Sequence, residues 1–97
     1  MRADYDSEGD TIQIDLETVD RLDYGDDEVD DRIVVGVRDE RPVRVDVIGT
    51  DGDIDGPLRA AAVAYDLDAG VLVAAAQAAL AVPDRQVVLD VGVRAAA

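Results

Sequence analysis

A chain of 97 residues with no cysteine, no histidine and a formal charge of −14 has the length of one domain. It carries no disulfide framework and lacks the commonest general base and metal ligand. Its nine basic residues are all Arg, too few to form the basic stripe that nucleic acid requires, and anionic membranes are disfavoured for the same reason. A basic protein or a cation remains electrostatically compatible. No apolar run reaches membrane-spanning length, and Met1-Arg2-Ala3-Asp4-Tyr5-Asp6 has no signal-peptide character, so a cytoplasmic location is expected.

The core material is unusual. There is no Phe or Trp, three Tyr are the only aromatics, and the 48% apolar content is mostly Val and Ala. A chain of this size buries roughly 65% of its unfolded surface. Alanine contributes little of that area at ~25 cal/mol per Å², and a thin core of this kind favours a homodimer. Excess Ala, Val, Asp, Gly and Arg without Lys also follows from a GC-rich genome or from adaptation to high internal salt. Acidity by itself therefore does not single out a partner.

Thr11 to Leu16 alternates, with Ile12, Ile14 and Leu16 on one side and Thr11, Gln13 and Asp15 on the other. Asp23 to Asp31 follows with six acids in nine residues, which mutual repulsion should keep extended and solvated. Arg32 to Arg38 sets Ile33, Val35 and Val37 together. Pro42 to Ile48 sets Val43, Val45 and Val47 together, opposite Arg44 and Asp46. Period-two patterning with β-branched residues marks strands, and the short link Arg38–Pro42 predicts an antiparallel hairpin.

The second half turns Ala-rich. Pro57 suits the first position of a helix running to about Ala64. Tyr65-Asp66-Leu67-Asp68 reads as a break and a new N-cap, with either Asp able to cap. The next helix is expected to bury Leu67, Val71, Ala74 and Ala78, with Leu72, Ala76, Ala79 and Leu80 widening the apolar surface. Pro83 bounds it. Gln86 to Val93 alternates again, with Val87, Leu89, Val91 and Val93 inward, and Arg94 to Ala97 should fray. The expected fold is a single α+β domain over 1–97. It has a small antiparallel sheet, a three-stranded meander (4–48) plus a C-terminal strand (86–93), with one or two helices (57–81) packed on one face.

Tyr5-Asp6-Ser7-Glu8-Gly9-Asp10-Thr11-Ile12-Gln13-Ile14, Val29-Asp30-Asp31-Arg32-Ile33-Val34-Val35 and Val43-Arg44-Val45-Asp46-Val47-Ile48 together resemble a bacterial family known as domain of unknown function 2283. The resemblance spans about residues 4–48. This chain has Glu40-Arg41-Pro42 where the family usually has a Gly in the second hairpin turn. It has Val45-Asp46-Val47 where a Gly-Ile-Glu-like third strand is usual. The resemblance implies a β-meander, no defined activity and, by analogy with members resembling partners of small toxins, an antitoxin-like role. The family motif maps onto Tyr5, Asp6 and Asp10. These also have a local reading: short carboxylates satisfy turn N–H groups, and Tyr5 supplies a ring at the core's edge.

Asp51-Gly52-Asp53-Ile54-Asp55-Gly56 matches the first half of a calcium loop. The second half departs from it, with Arg59 at position nine and Ala62 where a bidentate Glu belongs. Weak divalent binding at Asp51, Asp53 and Asp55 stands beside the plainer reading of an Asp/Gly-rich connection. The helical pair carries only Arg59 as a base, too little for a nucleic-acid recognition helix. Without His, Cys, Lys or a phosphate-cradling loop, the chain is expected to be no enzyme and to hold no cofactor. The leading expectation is a self-associating protein-interaction module, with Asp26, Asp27, Asp30 and Asp31 contacting a basic partner.

Overall fold

The computed structural model describes residues 1–17 and 25–90. Its elements are β1 (Arg2–Asp6), β2 (Thr11–Asp15), β3 (Gly25–Glu28), β4 (Ile33–Arg38), β5 (Arg41–Ile48), α1 (Asp55–Tyr65), α2 (Ala69–Ala81) and β6 (Val87–Val88). The chain is α+β: six strands form one antiparallel sheet ordered β3-β4-β5-β2-β1-β6. Both helices cover the same face, α1 over β4 and β5, and α2 over β1 and β2.

Of the residues expected to face inward, Ile12, Ile14, Ile33, Val35, Val43, Val45 and Val47 are fully buried, and Leu16 and Val37 are half-buried. The fully buried ones except Val43 join one core cluster with Leu58, Ala61 and Ala62 of α1, Leu72, Ala75, Ala76 and Ala79 of α2, and Leu67 between the helices. Area removed from water, at ~25 cal/mol per Å², is the main stabilising term. Among the described residues no polar or charged side chain is fully buried.

The meander expected over residues 4–48 is corrected in two respects. Two additional strands exist. β1 has only Ala3 and Tyr5 facing the core, too few aliphatics to register as alternation. β3 falls in the acid-rich segment, where pairing to β4 through Gly25↔Val37 and Glu28↔Val34 outweighs charge repulsion. Second, β2 pairs with β5, not β4. With β3 holding the outer edge of β4, β5 is left with a free edge for β2.

The β4–β5 hairpin turns through Asp39 and Glu40, both at positive φ (52° and 63°). A two-residue hairpin of the I′ kind needs this geometry and usually fills it with Asn or Gly. Pro42 lies in the second position of β5, next to the register shift between Gly36 and Val37, where its missing N–H is tolerated.

α1 starts two residues before Pro57, still within the first turn that proline tolerates. Asp66 ends it in the left-handed region, and Asp68 caps α2 by accepting from the Val71 N–H at 3.1 Å. The buried face of α2 is rotated from the expected one: Leu72, Ala75, Ala76 and Ala79 are inside, while Ala74 is exposed and Val71 and Ala78 are half-buried. A helix of Ala and Val has apolar residues on every side, so its sequence does not choose a face. Val87 and Leu89 are half-buried, and Val88 and Asp90 exposed, as the alternation predicts. Val91, Val93 and Arg94–Ala97 lie outside the described residues, as do Asp23 and Tyr24.

Candidate interaction surface

Because the helices cover one face, the other face of the sheet is open among the described residues. Strand parity and register place Asp4 beside Gln13, Gln13 beside Asp46, Asp46 beside Val34, and Val34 beside Glu28. A second row sets Arg2 beside Asp15, then Arg44, Gly36 and Asp26. The carboxylates of Asp4, Asp15, Asp26, Glu28 and Asp46 thus share this surface with the guanidinium groups of Arg2 and Arg44, and the same parity adds Asp6 on β1 and Arg38 on β4.

Arg44 is its electrostatic centre. The side chain is 14% exposed; its Nε lies 2.9 Å from Asp46 Oδ1 and 3.7 Å from Asp15 Oδ1. One cation does not balance the group. Burial raises the Asp46 carboxyl above its ordinary value; Arg44 opposes the shift, while Asp26 and Asp15 add to it. Asp4 is raised by partial burial first and then by Asp15, with Asp46 and Asp6 adding and Arg44 opposing. Desolvation, the larger cause, and like charge both disfavour the ionised form.

The four acids expected to meet a partner are not on one surface. Asp26 is on the open face. Asp27, one residue on, faces the helical side, where it accepts a hydrogen bond from the Tyr65 hydroxyl. Burial and that bond push the Tyr65 pKa up to about 12, so the hydroxyl stays a donor. Asp30 Oδ1 accepts from the N–H groups of Arg32 and Ile33 at 2.7 and 2.8 Å, tying the β3–β4 turn. Asp31 is exposed beside it.

The Tyr5, Asp6 and Asp10 motif forms a fastening at one end of the sheet. Asp6 Oδ1 accepts from the Glu8 and Gly9 N–H groups at 3.1 and 3.2 Å. Asp10, at φ 50°, accepts from the Tyr5 hydroxyl at 2.8 Å and the Thr50 hydroxyl at 2.6 Å. These bonds, Thr50 first, hold its carboxyl below the ordinary value. The motif joins the β1–β2 turn to the end of β5. Nearby, Asp4, Tyr5, Asp6, Asp84, Arg85 and Gln86 line a shallow cleft of about 230 Å³, below the usual range for small-molecule sites.

In the Asp51–Gly56 loop, Asp53 Oδ1 accepts from the N–H groups of Asp55 and Gly56 at 3.0 and 3.2 Å, serving the start of α1. Arg32 donates to the carbonyls of Asp53 and Gly49, bringing a positive charge to this loop. Among the described residues no group of three or more Asp or Glu is placed to hold a metal ion, so Asp51, Asp53 and Asp55 do not converge. No described helix is long and apolar enough to cross a membrane.

No family model, curated protein or solved structure matches the chain. The resemblance of residues 4–48 rests on its own motifs, and the chemistry of the surface carries the functional reading. Asp4, Asp15, Glu28 and Asp46 are the residues that sequence patterning misses. Asp15 and Asp46 are visible as the polar side of alternating strands, but only the β2–β5 pairing and the existence of β1 and β3 gather these acids.

Proposed function

We propose that the chain is a non-enzymatic protein-interaction module whose open sheet face receives an extended, arginine- or lysine-rich segment of a partner protein. The observation that supports this reading is the one-sided sheet, whose uncovered face carries more carboxylates than guanidinium groups, with Asp15 and Asp46 paired to Arg44. Cross-strand neighbours stand ~5 Å apart and diagonal ones ~7–8 Å. Such spacing presents a grid of separate charges and matches a chain with repeated cations better than a single ion. A docking cation opposes the burial and like charge that raise the Asp4 and Asp46 carboxyls. Asp26 belongs to this surface, Asp31 to its rim, and Asp27 and Asp30 hold its frame. Neutralising a basic partner, an antitoxin-like role, is the form of this reading that the resemblance of residues 4–48 suggests.

Calorimetric titration with a short poly-arginine peptide tests it. Binding should fall steeply with salt, since exposed charges are screened within ~8 Å at physiological ionic strength. Replacing Asp4, Asp26 and Asp46 together by Asn should weaken binding roughly tenfold. Asp51→Asn, in the distant loop, should leave it unchanged. Equal affinity in the triple variant removes the proposal.

A further inference from the structure

The opposite side of the molecule has a different character. α2 carries no charged residue over Ala69–Ala81, and its solvent side presents Gly70, Ala74, Gln77 and Ala81. Neighbouring α1 exposes Arg59, Ala60, Val63 and Ala64, with Val63 84% exposed. A helix packed on a sheet and otherwise bathed in water normally carries charges outward. In a chain of charge −14, an outer layer this poor in charge is the exception.

The few charges on this side have a pattern. Arg59 and Val63 lie at i and i+4 on one face of α1, and Asp66 follows at its C-cap. Positive charge stands toward the N-terminal half and negative charge at the C-cap. That order opposes what the helix dipole favours within a single copy. Arg59 and Asp66 belong to none of the ion pairs among the described residues, which involve Arg38, Arg41 and Arg44.

We infer that this face is the contact between two copies of the chain, α1 crossing its counterpart antiparallel about a two-fold axis beside Val63. A two-fold axis joins the same patch to itself, so residue i meets residue j and j meets i. Centring it beside Val63 brings Arg59 of one protomer to the end of the helix that carries Asp66 of the partner subunit, and the reverse. Both pairs form at once, and the two helix dipoles run antiparallel. Small side chains at Ala60 and Ala64 let the helices approach to the ~8 Å lower end of interhelical spacing.

Charge selects a second copy as the occupant. Arg59 and Asp66 give this side one charge of each sign, which a two-fold axis pairs crosswise, and the assembly holds the two open sheet faces on its far sides. They are then separated by well over the ~8 Å screening length. The open sheet faces stay free for the basic partner, and neither proposal depends on the other.

Sedimentation equilibrium of the full chain across concentration tests the inference. Twice the 10.3 kDa chain mass is expected, with dimerisation strengthened by salt as the overall repulsion is screened. Val63→Glu, at an exposed position, should keep the circular dichroism spectrum and shift the assembly to monomer. Arg59→Asp and Asp66→Arg should each weaken it by roughly tenfold or more through like-charge contact, and the double swap should restore it. A wild-type monomer at every concentration overturns the inference. So does a dimer indifferent to Val63→Glu, or single swaps that the double swap does not rescue.

Discussion

Asp4 and Asp46 are the residues in which the acidity of the open face becomes measurable. Both are held above their ordinary value in the fold. The stability they lend is complete below the unfolded value near 3.8 and is lost as pH rises through their raised values. Asp10 and Asp84 behave in the opposite sense. Hydrogen bonds hold them low, so their contribution is present above about pH 3.8 and lost as pH falls through their depressed values. Asp4→Asn should therefore melt higher than the parent chain at pH 7, with the gap closing as pH is lowered toward 4. A constant gap from pH 7 to 4 would show that Asp4 is not under electrostatic pressure.

Among the elements, the β4–β5 hairpin carries the clearest local conflict. Glu40 occupies the left-handed region at φ 63°, which costs a residue with a Cβ roughly 1 kcal/mol. Glu40→Gly should raise stability by up to ~1 kcal/mol, less the entropy that glycine adds to the unfolded chain, in a urea melt. A loss of more than ~1 kcal/mol would mean that the Glu40 side chain is needed for the turn. The hairpin itself is legible from Arg38–Pro42, because strong Val alternation flanks a short link. β2, β4 and β5 are legible for the same reason. β1 and β3 are not, since Arg2-Ala3-Asp4-Tyr5-Asp6 and Gly25-Asp26-Asp27-Glu28 pair through backbone groups and contribute few core side chains. α2 is legible as a helix from Asp68 and Pro83, yet its buried face is settled by the sheet beneath it. Leu72 is its one large, fully buried side chain, and the alanines around it carry no directional signal.

For the whole molecule, the sequence reveals the charge of −14 but not its distribution. The candidate surface depends on which strands are neighbours: β2 beside β5 and β3 beside β4 bring Asp15, Asp46 and Asp26 around Arg44, residues up to 31 positions apart in the chain. Alternation assigns the side of each strand, and long-range pairing assigns the group. Self-repulsion on this scale should make the melting temperature rise with added salt. A flat response would mean that the nine Arg already offset the acids. The central claim is that the open sheet face is where a basic segment docks. The most direct measurement is a map of backbone amide shifts as a poly-arginine peptide is added to the isotope-labelled chain at low salt. The account predicts perturbations centred on Asp4, Gln13, Asp15, Arg44 and Asp46 that disappear at high salt. Perturbations centred on α2 or on the Asp51–Asp55 loop, or none at low salt, would contradict it.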